Sequence, residues 1–279
     1  MFSLEHGRLR RLATGAAAGV GAIAFAVAGT ASAATEDAAA DRGPKPTVVL
    51  EHGAFADGSS WDGVVARLRH DGYPVVAAAN PLRGPASDAA ALRSVIDHVK
   101  GPVVLVGHSY GGSVISAAAV GRPQVKALVY VAAFLPAPGE SALQLTDAFP
   151  GSTLSGALDP VPVTNADGST GTDLYIRQDR FRAQFAADVP ADRAALAAAA
   201  QRPIAQAALT EQATSAAWQT VPSWDVITTE DRNIPADAQR FMAGRAHAHT
   251  TEVAASHSVA VSHPGVVAGV VEQAARATR

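Results

Sequence analysis

The chain has 279 residues, of which 48% are hydrophobic, 17% charged and 5% aromatic, with 24 Gly, 17 Pro and no Cys. This composition fits one sizeable globular domain and excludes a disordered or collagen-like chain, while the lack of Cys excludes disulfide frameworks, thiolate metal sites, iron-sulfur clusters and a cysteine nucleophile. A formal net charge of -3 offers no general attraction for nucleic acid.

Arg8, Arg10 and Arg11 precede an apolar stretch from Ala16 to Ala28 that ends in Ala31-Ser32-Ala33. This is the pattern of a secretory signal peptide over residues 1-33. The apolar run is shorter than the roughly 20 residues of a spanning helix, so no membrane anchor is expected after cleavage. The expected localisation is extracellular, or periplasmic where the host has an outer membrane; Arg10-Arg11 leaves the Sec and twin-arginine routes both open. Residues 34-46, small, charged and Pro-containing, read as a flexible linker. The folded domain is expected over 47-279.

Short apolar, β-branched runs then recur at Thr47 to Glu51, Pro74 to Ala79, Val103 to Gly107, Val125 to Val131, Trp224 to Thr228 and Thr250 to Ala254, and they read as buried strands. Helical spacing fills the gaps at Trp61 to His70, Ser87 to Lys100, Tyr110 to Val120, Pro235 to Ala246 and Pro264 to Ala277, with Pro235 and Pro264 at positions where a helix begins. Alternating strands and helices predict an α/β fold with a mostly parallel six-stranded sheet flanked by helices. Ligands of such sheets bind at the carboxyl ends of the strands, where the strand order reverses. The alternation breaks between about residues 135 and 222. A stretch of that length is expected to be an inserted, mainly helical cap over the strand ends, with an Ala-rich helical segment from Phe181 to Gln219.

Gly107-His108-Ser109-Tyr110-Gly111 fits G-x-S-x-G between a strand and a helix, the context that turns this short pattern into an elbow presenting a nucleophile. Ser109 is the expected nucleophile. A serine hydroxyl needs a base within hydrogen-bond reach and a carboxylate to orient that base. Asp231 lies just past the strand Trp224 to Thr228 and is the expected acid, with Glu230 beside it as the alternative and helix capping as the ordinary structural role. His257, in the loop after the last strand, is the expected base; His263 abuts Pro264 and is expected to start the helix. Acyl transfer also needs an oxyanion hole. The backbone N-H groups of Ala54, in His52-Gly53-Ala54-Phe55, and of Tyr110 are the expected donors, with Phe55 the alternative to Ala54.

The other histidines read as structure or surface: His52 and His108 as satisfied residues of these turns, His70 and His98 near helix C-termini. His247 and His249 lack a third ligand for zinc, and Asn165-Ala166-Asp167-Gly168 with Asp173 echoes a calcium loop without its terminal Glu, so a hairpin turn is expected there. No metal or other cofactor is expected. Phe55, Phe134 and Trp218 are candidates to line a substrate pocket.

With the elbow, the His52-Gly53-Ala54 loop, Asp231 and His257 in this chain order, the sequence from Thr47 onward resembles an α/β-hydrolase. His52-Gly53-Ala54 through Trp61 is similar to the branch of plant methyl-ester esterases and hydroxynitrile lyases. The resemblance implies a serine esterase, a carboxylic ester hydrolase acting on small esters through an acyl-enzyme. The lyases of that branch carry Thr where this chain has Gly53 and Lys where it has Ser258, so ester hydrolysis is expected over lyase chemistry. A cofactor-free lyase or perhydrolase, or a catalytically silent binding protein, are the alternatives.

Overall fold

The computed structural model describes residues 44-164 and 167-278. The expected signal peptide, most of the linker, and Asn165 and Ala166 lie outside the described residues.

Nine strands and ten α-helices follow one another along the described chain. The strands are β1 (Thr47–Glu51), β2 (Val75–Ala78), β3 (Val103–His108), β4 (Val125–Val131), β5 (Leu158–Thr164), β6 (Thr170–Ile176), β7 (Ile204–Ala205), β8 (Ser223–Thr228) and β9 (His249–Val253). The helices are α1 (Asp62–His70), α2 (Pro85–His98), α3 (Gly111–Ala118), α4 (Ala142–Asp147), α5 (Gln178–Phe185), α6 (Ala191–Ala200), α7 (Gln206–Thr210), α8 (Ala236–Arg245), α9 (Val259–Ser262) and α10 (Pro264–Ala277).

Six strands form one sheet in the order β2-β1-β3-β4-β8-β9, and every pairing in it is parallel. Successive side chains of a strand point to opposite faces, and in the inner strands both faces are covered, while the edge strands β2 and β9 stay largely exposed. Val48 and Leu50 of β1 and Val104 and Val106 of β3 pack with Trp61, Leu68, Val267 and Val271 on the α1 and α10 side. Val49 and Leu105 face the other way, toward Leu92, Ile96, Ile115 and Met242 of α2, α3 and α8. Burial on both faces explains why these strands read as continuous apolar runs.

The chain runs from β1 outward to β2 and then returns to place β3 on the other side of β1. The strand order therefore reverses between β1 and β3, and the loops leaving their carboxyl ends open a crevice there. Glu51 at the end of β1 is in register with Gly107 of β3, so the His52-Gly53-Ala54 loop and the elbow are neighbours by construction.

The cap differs from expectation in its composition. It contains helices α4 to α7 but also an antiparallel three-stranded sheet, β5-β6-β7. Pro160 and Pro162 within β5 lack the N-H a central strand needs, but β5 pairs on one side only, and an edge strand tolerates them. The segment Phe181 to Gln219, read as one helical stretch, is interrupted by Pro190, which precedes α6, and by Pro203, which precedes β7. Among the described residues no helix is long and apolar enough to cross a membrane, and no group of three or more His, Asp or Glu could hold a metal ion.

Candidate active site

Ser109 sits in the turn between β3 and α3 with φ of 54°, in the left-handed region that L-residues with a side chain avoid. Its neighbours hold it there: Ser109 N donates to Val131 O (3.2 Å), while Phe134 N and Gly112 N donate to Ser109 O (3.1 and 3.0 Å). The turn presses against β1 so closely that a Cβ on Gly111 would stand 2.6 Å from Glu51 O, and one on Gly53 would stand 2.7 Å from Ser109 Cβ. Glycine is required at both places for the loop after β1 and the elbow to touch.

His257 and Asp231 arrive from the loops after β9 and β8. The Ser109 hydroxyl lies 2.8 Å from His257 Nε2, and His257 Nδ1 donates to Asp231 Oδ2 at 2.6 Å. Donation from Nδ1 to a carboxylate leaves Nε2 of the neutral ring as the acceptor for the hydroxyl proton. The Asp231 carboxylate is held from all sides. Asn233 N (2.7 Å) and Ile234 N (3.0 Å) donate to Oδ1, and Thr228 Oγ1 (2.9 Å) and Gln239 Nε2 (3.2 Å) donate to Oδ2. Glu230, one residue away, is exposed. His263 lies at the start of α10, its Nδ1 3.6 Å from Asp188 Oδ2, outside this constellation.

The two other buried histidines serve the loops. His108 Nε2 donates to the backbone carbonyl of His257 at 2.9 Å, and burial, reinforced by the adjacent His257, pushes its pKa down to about 3, so it stays neutral. His52 Nδ1 donates to Gly53 O (2.9 Å) and its Nε2 accepts from Asn80 N (3.1 Å); burial lowers its pKa as well.

Among the described residues, the backbone N-H groups of Ala54 and Tyr110 have no hydrogen-bond acceptor, whereas Phe55 N donates to Arg202 O at 3.0 Å. Of these two, Ala54 N is therefore free and Phe55 N is committed to the cap. The Tyr110 phenol, pushed well up by burial and the nearby Asp88 charge, donates to Asp88 Oδ2 at 2.8 Å. Asp88 also accepts from Arg83 N and Gly84 N at the start of α2, so the residue after Ser109 is tied to a helix end.

Ser109, His257, Ala54 and Tyr110 open onto a cavity of about 140 Å³. Phe55 and Phe134 line it, together with Leu143, Leu154, Leu158 and Ile234. Trp218 does not: its Nε1 donates to Pro136 O at 3.0 Å and Arg245 stands 5.6 Å from its ring, which fixes it at the cap base. Sequence reasoning did not single out Thr228, Gln239 and Asn233 around Asp231, or Asp88 under Tyr110. Only Asp88 carried a signal, an acid four residues after Gly84 in the first turn of a Pro-opened helix.

The arrangement can pass a proton from the Ser109 hydroxyl to His257 and receive a developing oxyanion on two backbone N-H groups, which is the machinery of a serine hydrolase. Residues 48–270 match the family described as "Alpha/beta hydrolase family". The alpha/beta hydrolase nvfD of Aspergillus novofumigatus is 26% identical over 261 residues, 83% of this chain and 97% of its own. A pyrethroid hydrolase of Sphingobium wenxiniae is 33% identical over 162 residues, 52% of this chain and 56% of its own. The crystal structure of polyneuridine aldehyde esterase superposes with a TM-score of 0.72 at 18% identity, covering 82% of this chain and 99% of that one. With the match beginning inside β1 and ending inside α10, and so spanning the elbow and all the loops that meet at it, the chain belongs to the alpha/beta hydrolase family.

Proposed function

We propose that the protein is a serine esterase that hydrolyses small carboxylic esters through an acyl-enzyme. Ser109 Oγ attacks the carbonyl carbon as its proton moves to His257 Nε2, and Asp231 holds the imidazole and balances its positive charge. The carbonyl oxygen, now negative, rests on the Ala54 and Tyr110 N-H groups. Breaking the ester C-O bond releases the alcohol with the proton from His257, and a water deprotonated by the same ring then cleaves the acyl-enzyme to the free acid. The observation that carries this reading is the unbroken line from Asp231 through His257 to Ser109, at 2.6 and 2.8 Å, ending beside two unpaired N-H groups. The names of the pyrethroid hydrolase and of the carbendazim hydrolyzing esterase of Nocardioides agree with hydrolytic chemistry on small molecules.

Purified wild-type protein should turn over p-nitrophenyl acetate and be labelled by a fluorophosphonate probe, and Ser109→Ala should lose both while keeping the wild-type circular dichroism. Labelling that persists at another serine in the variant would remove Ser109 from this role.

Export belongs to the same proposal and rests on the sequence. The mature N-terminus should be Ala34, because Ala31 and Ala33 offer the small side chains a signal peptidase accepts. Mass spectrometry of protein recovered from the medium reads this directly; full-length chain retained in membranes would mean an anchor.

A further inference from the structure

Phe55 borders two cavities. One is the space at Ser109; the other is larger, about 240 Å³ against about 140 Å³, and lies beneath the cap helices α5 and α6. Apolar side chains, among them Phe55, Phe181, Phe185, Val189 and Ala194, make up most of its wall, and the charged Asp57, Asp62 and Arg193 border it as well, with Ser258 also in the lining. Leu196, 73% exposed, marks its solvent side.

The position of this cavity relative to the reaction centre gives it meaning. The Phe55 and Phe185 rings meet edge to face at 6.2 Å, and Phe185 in turn stands edge-on to the His257 ring at 4.9 Å. Ser258, the next residue after His257, hydrogen-bonds Phe185 O at 2.9 Å. Phe55 is thus shared by the two cavities, and Phe185 links it to the His257 ring. When an ester C-O bond breaks, its electron pair goes to the departing oxygen, and that oxygen must face His257 Nε2 to receive the proton. The alcohol arm therefore leaves toward His257, whereas the acyl arm stays in the smaller cavity with the oxyanion donors.

Resting on the esterase reading above, we propose that the second cavity is the alcohol subsite, so that the substrate class is a short-chain acyl ester of a bulky apolar or aromatic alcohol, admitted as the Phe55 and Phe185 rings part. The volumes fit this division. A cavity on the order of 150 Å³ takes one benzene ring, so the smaller space suits a short acyl group and the larger one a fused bicyclic alcohol. Aromatic walls reward an aromatic guest through edge-to-face contacts.

The test uses the full chain with 2-naphthylmethyl acetate, methyl acetate and methyl 2-naphthoate. Ala197→Trp and Ala200→Trp each place an indole in the second cavity from exposed helix positions; Ala195→Trp, exposed on the same helix and outside the cavity, is the control. The ratio of kcat/KM for 2-naphthylmethyl acetate over methyl acetate should fall tenfold or more in both cavity variants and stay put in the control. The Kd of 2-naphthylmethanol, read by its fluorescence, should rise by a similar factor. An unchanged ratio in both cavity variants, an equal fall in the control, or a fall confined to methyl 2-naphthoate overturns the assignment. Wild-type protein that hydrolyses none of the three esters instead removes the esterase reading, and the naphthylmethanol titration then decides the cavity alone: a Kd raised by Ala197→Trp keeps it as a site for apolar alcohols, and an unchanged Kd ends it.

Discussion

Five donors converge on the Asp231 carboxylate, and the division of labour between its two oxygens explains what the residue does. Oδ1 is taken by the Asn233 and Ile234 N-H groups that shape the turn after β8, so the side chain cannot rotate; Oδ2 is then aimed at His257 with Thr228 and Gln239 beside it. Asp231→Asn should lower kcat by up to about 10⁴-fold, because an amide presents a donor where the imidazole needs an acceptor and cannot balance the charged ring. Glu230→Gln, at an exposed position, should change kcat less than about twofold. Comparison of the two variants on p-nitrophenyl acetate checks this, and a reversed order of effects would make Glu230 the acid. Asp231 and His257 were legible because each follows a recognisable strand. Gln239 and Thr228 were not, since nothing in the sequence says that a side chain on α8 will reach back to the end of β8. Trp218 carries a similar ambiguity: an aromatic in a cap can face the substrate or anchor the base, and here its indole N-H meets the Pro136 carbonyl.

At the scale of elements, the inner strands of the main sheet were readable because burial on both faces leaves a nearly uninterrupted apolar run, bounded by Gly and Pro, whereas the edge strands β2 and β9 are largely exposed and were readable through their β-branched residues. The β5-β6 hairpin was not, because its proline-bearing edge strand has none of that signature. Two strands carry a cost that periodicity hides, β1 at Glu51 and β8 at Asp225, both buried with no hydrogen-bond partner for either carboxyl oxygen among the described residues. Glu51, at the end of β1, is 1% exposed. Burial, helped by the Asp88 charge, pushes its pKa up to about 8 from an ordinary 4.5. The folded chain thus holds this proton up to about pH 8, whereas the unfolded chain releases it near 4.5. Stability from this group is complete below the lower value and is lost as pH rises through the upper one, by at most about 1.4 kcal/mol per pH unit. His108 acts oppositely and elsewhere, lowering stability as pH falls from its ordinary 6.5 toward 3. Glu51→Gln keeps a neutral side chain at every pH, so urea midpoints measured from pH 6 to 9 should decline in the wild type and decline less in the variant. Parallel declines would show that Glu51 does not titrate in this range.

The described residues form a sheet with its cap fastened down. Arg83, beside α2, pairs with Asp173 of β6 at 2.7 Å and reaches Pro203 O at 3.2 Å. Arg202 O accepts from Phe55 N at 3.0 Å. Gln184 of α5 holds Arg232 O and Asn233 Oδ1, both at 2.8 Å, and Ser256 and Ser258 on either side of His257 bond Asp188 and Phe185 O. The loops that carry Asp231 and His257 and the loop that carries Ala54 are therefore tied to the cap, and lifting it would disturb Asp231 and His257 together. The cap surface agrees, since α6 is mostly Ala and carries Arg193, with Leu196 its one large apolar side chain, which leaves little large apolar surface to meet an oil droplet. Under a cap held in this way, the acyl arm has only the space of about 140 Å³ at Ser109. Each methylene that fits gains about 0.8 kcal/mol, and each further one must stay in water or pull the cap from its ties. We therefore expect kcat/KM across p-nitrophenyl esters to peak at short acyl chains and to fall steeply by palmitate. A profile that keeps climbing with chain length, or a rise in rate at an oil-water interface, would mean that these ties release during turnover and that the protein works as a lipase.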